Sequence, residues 1–98
     1  MQQYYELIKD AKPKNRAKKF RFDPTQQIYF ASCFKKEGIE ILGLQSGMLL
    51  DLADGSRSLE EIANALALAF HVPEEIVKVD IVNVVRSLQR KHLLYMEI

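Results

Sequence analysis

The apolar residues of this chain change period once. In the first half they alternate. Phe20 and Phe22 interleave with Lys19 and Arg21, the period-2 pattern of a half-buried strand over 19–22. Asp23-Pro24-Thr25-Gln26 reads as a turn. Residues 27–34, rich in aromatic and β-branched side chains, predict a second strand. After Lys35-Lys36-Glu37-Gly38 a third strand follows over 39–44, with Ile39 and Ile41 on one face and Glu40 and Leu42 on the other. From Ser46 the spacing becomes helical and predicts three helices near 46–53, 58–70 and 73–91, broken at Asp54-Gly55 and His71-Val72-Pro73. Ser58 with Glu61 makes a capping box, in which each side chain bonds the other residue's free backbone N–H. Leu59, Ile62, Ala63, Leu66 and Phe70 then form one apolar face. Gly55 can take the left-handed conformation of a helix exit, and Pro73 suits the first turn of the next helix. Residues 92–98 end in a short extended piece. This order predicts a single α+β domain, a winged-helix-like fold with a three-stranded antiparallel sheet followed by three helices.

The third of these helices carries two apolar stripes. At 100° per residue, Val77, Ile81, Val84, Val85 and Leu88 fall on one side, an ordinary core face. Val79 and Val82 fall on the other, beside Arg86 and Arg90. Valine loses χ1 freedom in a helix, so a second valine stripe needs a reason. It is covered either by the chain's own segments or by a partner. Ahead of the strands, Tyr4, Tyr5, Leu7 and Ile8 make one apolar turn that Lys12-Pro13-Lys14-Asn15-Arg16 breaks. Residues 1–18 therefore read as a basic arm, solvated or weakly helical, and residues 19–98 as the domain.

Charge sharpens this division. Residues 1–22 hold seven Lys/Arg against Glu6 and Asp10, while residues 23–98 hold seven against eleven acids. An acidic folded part speaks against a general nucleic-acid binder, which usually presents a basic face. No apolar run reaches membrane-spanning length and no secretory signal opens the chain, so a cytoplasmic protein is expected. A lone cysteine, Cys33, excludes an internal disulfide and a cysteine-based zinc cluster.

Candidate chemistry is sparse. His71 and His92 are a whole helix apart, without Cys or carboxylate neighbours at ligand spacing. Glu60-Glu61 and Glu74-Glu75 stand at helix starts, where acids complement the dipole. The four glycines form no phosphate-binding motif. No catalytic residue, metal site or cofactor is expected, and a binding module is favoured over an enzyme. Two binding modes suit a sheet on a helical trio. A winged-helix DNA-binding transcriptional regulator would place the third helix in the major groove. That helix offers Val79, Val82, Asn83 and two arginines, with Glu74, Glu75 and Asp80 flanking the phosphates. The other mode is strand addition, in which an extended peptide joins the third strand and the valine stripe walls the groove. A third reading, an inert module that supports a larger enzyme, uses neither surface.

The run Leu44-Gln45-Ser46-Gly47, then Leu49-Leu50-Asp51-Leu52-Ala53-Asp54-Gly55-Ser56-Arg57-Ser58, then Ile62-Ala63, Leu66, Phe70, Pro73, Val79-Asp80-Ile81 and Leu88 resembles the PqqD-like family, the RiPP recognition elements. The resemblance spans roughly residues 19–96. Family members often carry Asn where this chain has Gly43 or Gln45. The resemblance implies a peptide-binding adaptor that takes the leader of a ribosomally made precursor peptide by strand addition. It also implies presentation to a separate modifying enzyme, of radical-SAM, peptidase or similar type. The site it implies is Ile39, Glu40, Ile41, Leu42, Gly43 and Leu44 of the third strand, with Val79, Val82, Asn83 and Arg86 of the third helix. An exposed third strand further predicts a monomer able to form a weak edge-paired dimer.

Overall fold

The computed structural model describes the backbone of residues 2–97 and the side chains of residues 4–96. Its centre is the expected three-stranded antiparallel sheet: β2 (Lys19–Asp23), β3 (Ile28–Ser32) and β4 (Glu40–Leu42), in the order β2-β3-β4. Register is set by the alternation of the sequence. Phe20 and Phe22 point to the same face as Tyr29, and their rings pack on it at centroid distances of 5.3 and 4.7 Å. Tyr29, Ala31 and Leu42 bury against the helices, while the row Arg21–Phe30–Ile41 crosses the opposite face. Slipping any strand by one residue would exchange these faces.

Three helices follow: α2 (Leu44–Leu52), α3 (Leu59–Phe70) and α4 (Glu74–Arg90). Leu49, Leu50, Leu59, Ile62, Leu66, Ile81 and Leu88 fill the core between them. The α+β fold of three strands and then three helices is as expected. Its edges shift by a residue or two: Gly43 and Leu44, read as the end of the third strand, are the N-cap and first residue of α2. Pro73, read inside the first turn, is the N-cap residue of α4.

The loop motif between α2 and α3 has a complete structural account. The Asp54 carboxylate accepts from the Ser56 N–H (2.9 Å) and hydroxyl (2.6 Å), and from the Arg57 guanidinium (3.1 Å). Arg57 also donates to the Leu52 carbonyl at 3.0 Å, satisfying one of the orphan acceptors at the end of α2. Gly55 turns the chain at φ +87, a conformation costly for a residue with a Cβ. The capping box at the start of α3 is formed as expected: Glu61 N–H donates to Ser58 Oγ and Ser58 N–H to Glu61 Oε1. His71 and His92 each take left-handed conformations at helix ends, where the following N–H groups bond back into the last turn.

Residues 2–18 depart from the sequence reading. They are folded into the domain as α1 (Gln2–Ile8) and β1 (Lys12–Asn15). The strand pairs antiparallel with β5 (Leu94–Glu97), from Lys12↔Glu97 to Asn15↔Leu94. Tyr5, Ile8, Ala11 and Pro13 are buried. The segment also supplies acceptors that the rest of the fold needs. Leu59 and Glu60, two donors at the N-terminus of α3, bond to the carbonyls of Ala11 and Lys9, both at 2.9 Å. Gly55 N–H bonds Pro13 O at 3.0 Å. Asn15 N–H bonds Ala53 O at 2.7 Å, and its side-chain amide reaches Leu50 O at 3.3 Å.

Candidate functional site

The helix α1 lies on α4, and that contact decides which face of α4 is free. Lys78 sits over the Tyr5 ring at 5.5 Å and Arg86 over the Tyr4 ring at 4.6 Å. Residues 78, 82 and 86 share one face of a helix. Val82, between the two cations, is 0% exposed. The second valine stripe is thus half wrong as a groove: Val82 is core, covered by the chain's own N-terminal helix. Arg86 is exposed but turned to Tyr4. Val79, 49% exposed, and Asn83 lie on the solvent face beside it.

The strand half of the expected site also divides. Leu42 is buried, so it can offer a partner only its backbone. Leu44 belongs to α2 and packs on the core. Gly43 is exposed but lies at the helix cap. Ile39 and Ile41 are 69% and 63% exposed, large apolar side chains facing solvent. Glu40 is half-buried and pairs with Lys91 Nζ at 3.6 Å.

What the structure assembles is an edge beside a helix. In the sheet β4 pairs with β3 alone, so its other edge presents unpaired backbone groups. Glu40–Lys91 places the C-terminal end of α4 by the start of β4. At the other end, Gln45 shares a cavity of about 360 Å³ with Phe70, Val72, Ile76, Val77 and Asp80. Asp80, Val84, Ser87 and Lys91 share one face of α4, with Lys91 at Glu40 and Asp80 in the cavity at Gln45. The helical wheel alone does not select it, because only the fold shows that α1 covers the face bearing Lys78, Val82 and Arg86. Among the described residues no three His, Cys, Asp or Glu side chains gather as a metal site. No helix among them is long and apolar enough to cross a membrane.

A three-stranded antiparallel sheet, with β2 and β4 as its edge strands, laid on three helices, defines a small α+β domain. The family model for coenzyme PQQ synthesis protein D (PqqD) matches residues 42–94, more than half of the chain, and the chain belongs to this PqqD family. Among solved structures it is similar to the PqqD portion of Methylobacterium extorquens PqqCD, at TM-score 0.69 and 21% identity, over 90% of this chain and 92% of that one. That protein is described as a functional, stand-alone RiPP recognition element. No curated protein sequence matches the chain.

Proposed function

We propose that this domain is a non-catalytic adaptor that binds the leader of a ribosomally made precursor peptide as an added strand on β4. The peptide would then be presented to a separate modifying enzyme. The observation that carries this reading is the free edge of β4 beside α4, with Ile39 and Ile41 exposed next to it. An added strand gains main-chain hydrogen bonds at the edge, and alternate side chains face opposite sides of the sheet. Those turned inward would meet Asp80, Val84 and Ser87 of α4; those turned outward would meet Ile41 and Phe30. The cavity at Gln45, Phe70 and Ile76 would take an apolar side chain where the strand leaves β4. Membership of the PqqD family, and the description of the Methylobacterium relative as a recognition element, support the same reading. In the absence of peptide, the same edge can pair weakly with a second copy.

The test is a titration of isotope-labelled protein with synthetic N-terminal segments of the small peptides encoded near its gene. Amide shifts should concentrate at Glu40, Ile41 and Leu42 and along α4 from Asp80 to Lys91. Shifts confined to any other surface would overturn the assignment. Binding should persist at high salt, since main-chain bonds and apolar pockets are screened far less than phosphate contacts.

A further inference from the structure

We infer that the domain has a second, anion-selective subsite, which takes an acidic flank of the peptide that adds to β4; this rests on the strand-addition reading above. The subsite is an open cleft of about 570 Å³ where the end of α4, the β1–β5 ribbon and the connection between β3 and β4 meet. Lys14, Arg16 and Lys35 line it, with the His92 imidazole, and no carboxylate does among the described residues. None of the three cations is held in an ion pair with a described side chain. Asp54, the backbone bridge partner of Lys14, is already engaged by Ser56 and Arg57. Two exposed aromatic rings complete the cleft: Phe34, and Tyr95 with the Arg16 guanidinium 5.0 Å from its centroid.

Position links this cleft to the edge. Lys91, which holds Glu40 at the start of β4, directly precedes His92 in the cleft wall. Whichever way a peptide runs along β4, one of its ends leaves at Glu40, where Lys91 adjoins His92 of the cleft wall. Cations without an ion pair among the described residues, in a cleft that no described carboxylate lines, attract a carboxylate-bearing segment and repel a basic one. The exposed rings add a surface for an apolar or aromatic side chain within that segment. The structure thus assigns a charge preference to one flank of the ligand and leaves the added strand itself neutral in preference.

The experiment uses two fluorescein-labelled octapeptides, alternating Glu and Ala around one Phe, and the same peptide with Gln for Glu. A single-stranded oligothymidylate serves as a competing polyanion. The full chain is titrated at moderate salt by anisotropy and by amide shifts. The Glu peptide should bind about tenfold or more tightly than the Gln peptide, with shifts at Arg16, Lys35, His92 and Tyr95. Arg16→Gln with Lys35→Gln, both on exposed side chains, should remove that difference while circular dichroism stays unchanged. Equal binding of the two peptides, shifts elsewhere, or tighter binding of the oligothymidylate would each overturn the subsite. If the double variant loses its fold, Lys35→Gln alone, on an exposed loop, must still weaken the Glu peptide. The edge reading is judged separately, on the amides of Glu40–Leu42, so either assignment can fail alone.

Discussion

The Tyr29 ring packs against Gly47, so that a Cβ at residue 47 would overlap the ring itself. This contact fixes α2 against the sheet, with Tyr29 held on its other side by Phe20 and Phe22. Gly47→Ala should destabilise the domain by about 1–3 kcal/mol, the range for overpacking a tight core. Urea unfolding would show the midpoint falling at constant slope. An unchanged midpoint would mean that Tyr29 has room to swing away.

Val82→Asp should unfold the protein or cost it about 3 kcal/mol or more, because an unpaired charge would be placed where nothing polar answers it. Val79→Asp, three residues earlier on the solvent face, should leave circular dichroism and thermal stability nearly unchanged. The pair of variants tests whether α1 covers α4. A stable Val82→Asp protein would place α1 elsewhere.

Deleting residues 1–11 should be strongly destabilising. The deletion exposes Val82, removes Tyr5 and Ile8 from the core, and leaves the Leu59 and Glu60 N–H groups without the carbonyls of Ala11 and Lys9. A solvated arm would be lost without consequence, so thermal melting of the truncated chain separates the two descriptions.

Stability should fall at both ends of the pH scale for identifiable reasons. Burial, then the nearby carboxylates of Glu60, Glu74, Glu6 and Asp10, push the Tyr5 hydroxyl up to about 12. The folded state therefore holds its proton more tightly than the unfolded chain, whose tyrosines titrate near 10. Stability from this group is complete below about pH 10 and is lost as pH rises toward 12. The hydroxyl also has no hydrogen-bond partner among the described residues, so Tyr5→Phe should be neutral or stabilising at pH 7 and should flatten the alkaline loss. Toward acid the sign reverses. The hydrogen bonds from Ser56 lower the Asp54 carboxyl, and those from Ser58 lower Glu61. Their contribution is present above the ordinary carboxylate range and disappears as pH falls through their lowered values. Ser56→Ala, which removes the hydroxyl bond that lowers Asp54 most, should shallow the loss of urea midpoint between about pH 5 and 2. If the variant keeps the full slope, Asp54 is not the carboxylate titrating.

The strands and long helices could be read from the sequence because each carries its own signal. Ser58 and Glu61 mark a helix start, the Phe20/Phe22 alternation marks a strand, and Gly55 marks a turn, all within a few residues. The N-terminal elements carry no such signal. Seven residues with one apolar turn are too short to be a stable helix alone, and Lys-Pro-Lys-Asn has the composition of a linker. Their stability comes from partners far along the chain: β5 for β1, and α4 for α1. The misplaced half of the site follows from this gap. Val82 has an apolar stripe's geometry on any wheel, and only the docked α1 shows that the stripe is already covered. Ile39 and Ile41 were legible as edge residues because strand alternation puts them opposite the buried Leu42.

The pairing of Lys12–Asn15 with Leu94–Glu97 also orders events in time. Closing a loop of some eighty residues costs more entropy than closing any hairpin in this fold, although the cost grows only slowly with length. The β2–β3–β4 meander and the α3–α4 pair can form from neighbours alone. The ribbon, and the α1 cover that it anchors, must wait until Leu94–Glu97 are available. During synthesis the Val82 stripe is therefore bare for as long as any segment of the fold, and a growing chain passes through a form whose α4 is apolar on two sides. A chaperone or an early-binding partner would meet that form, whereas in the finished protein α1 covers Val82 and the edge of β4 stays open.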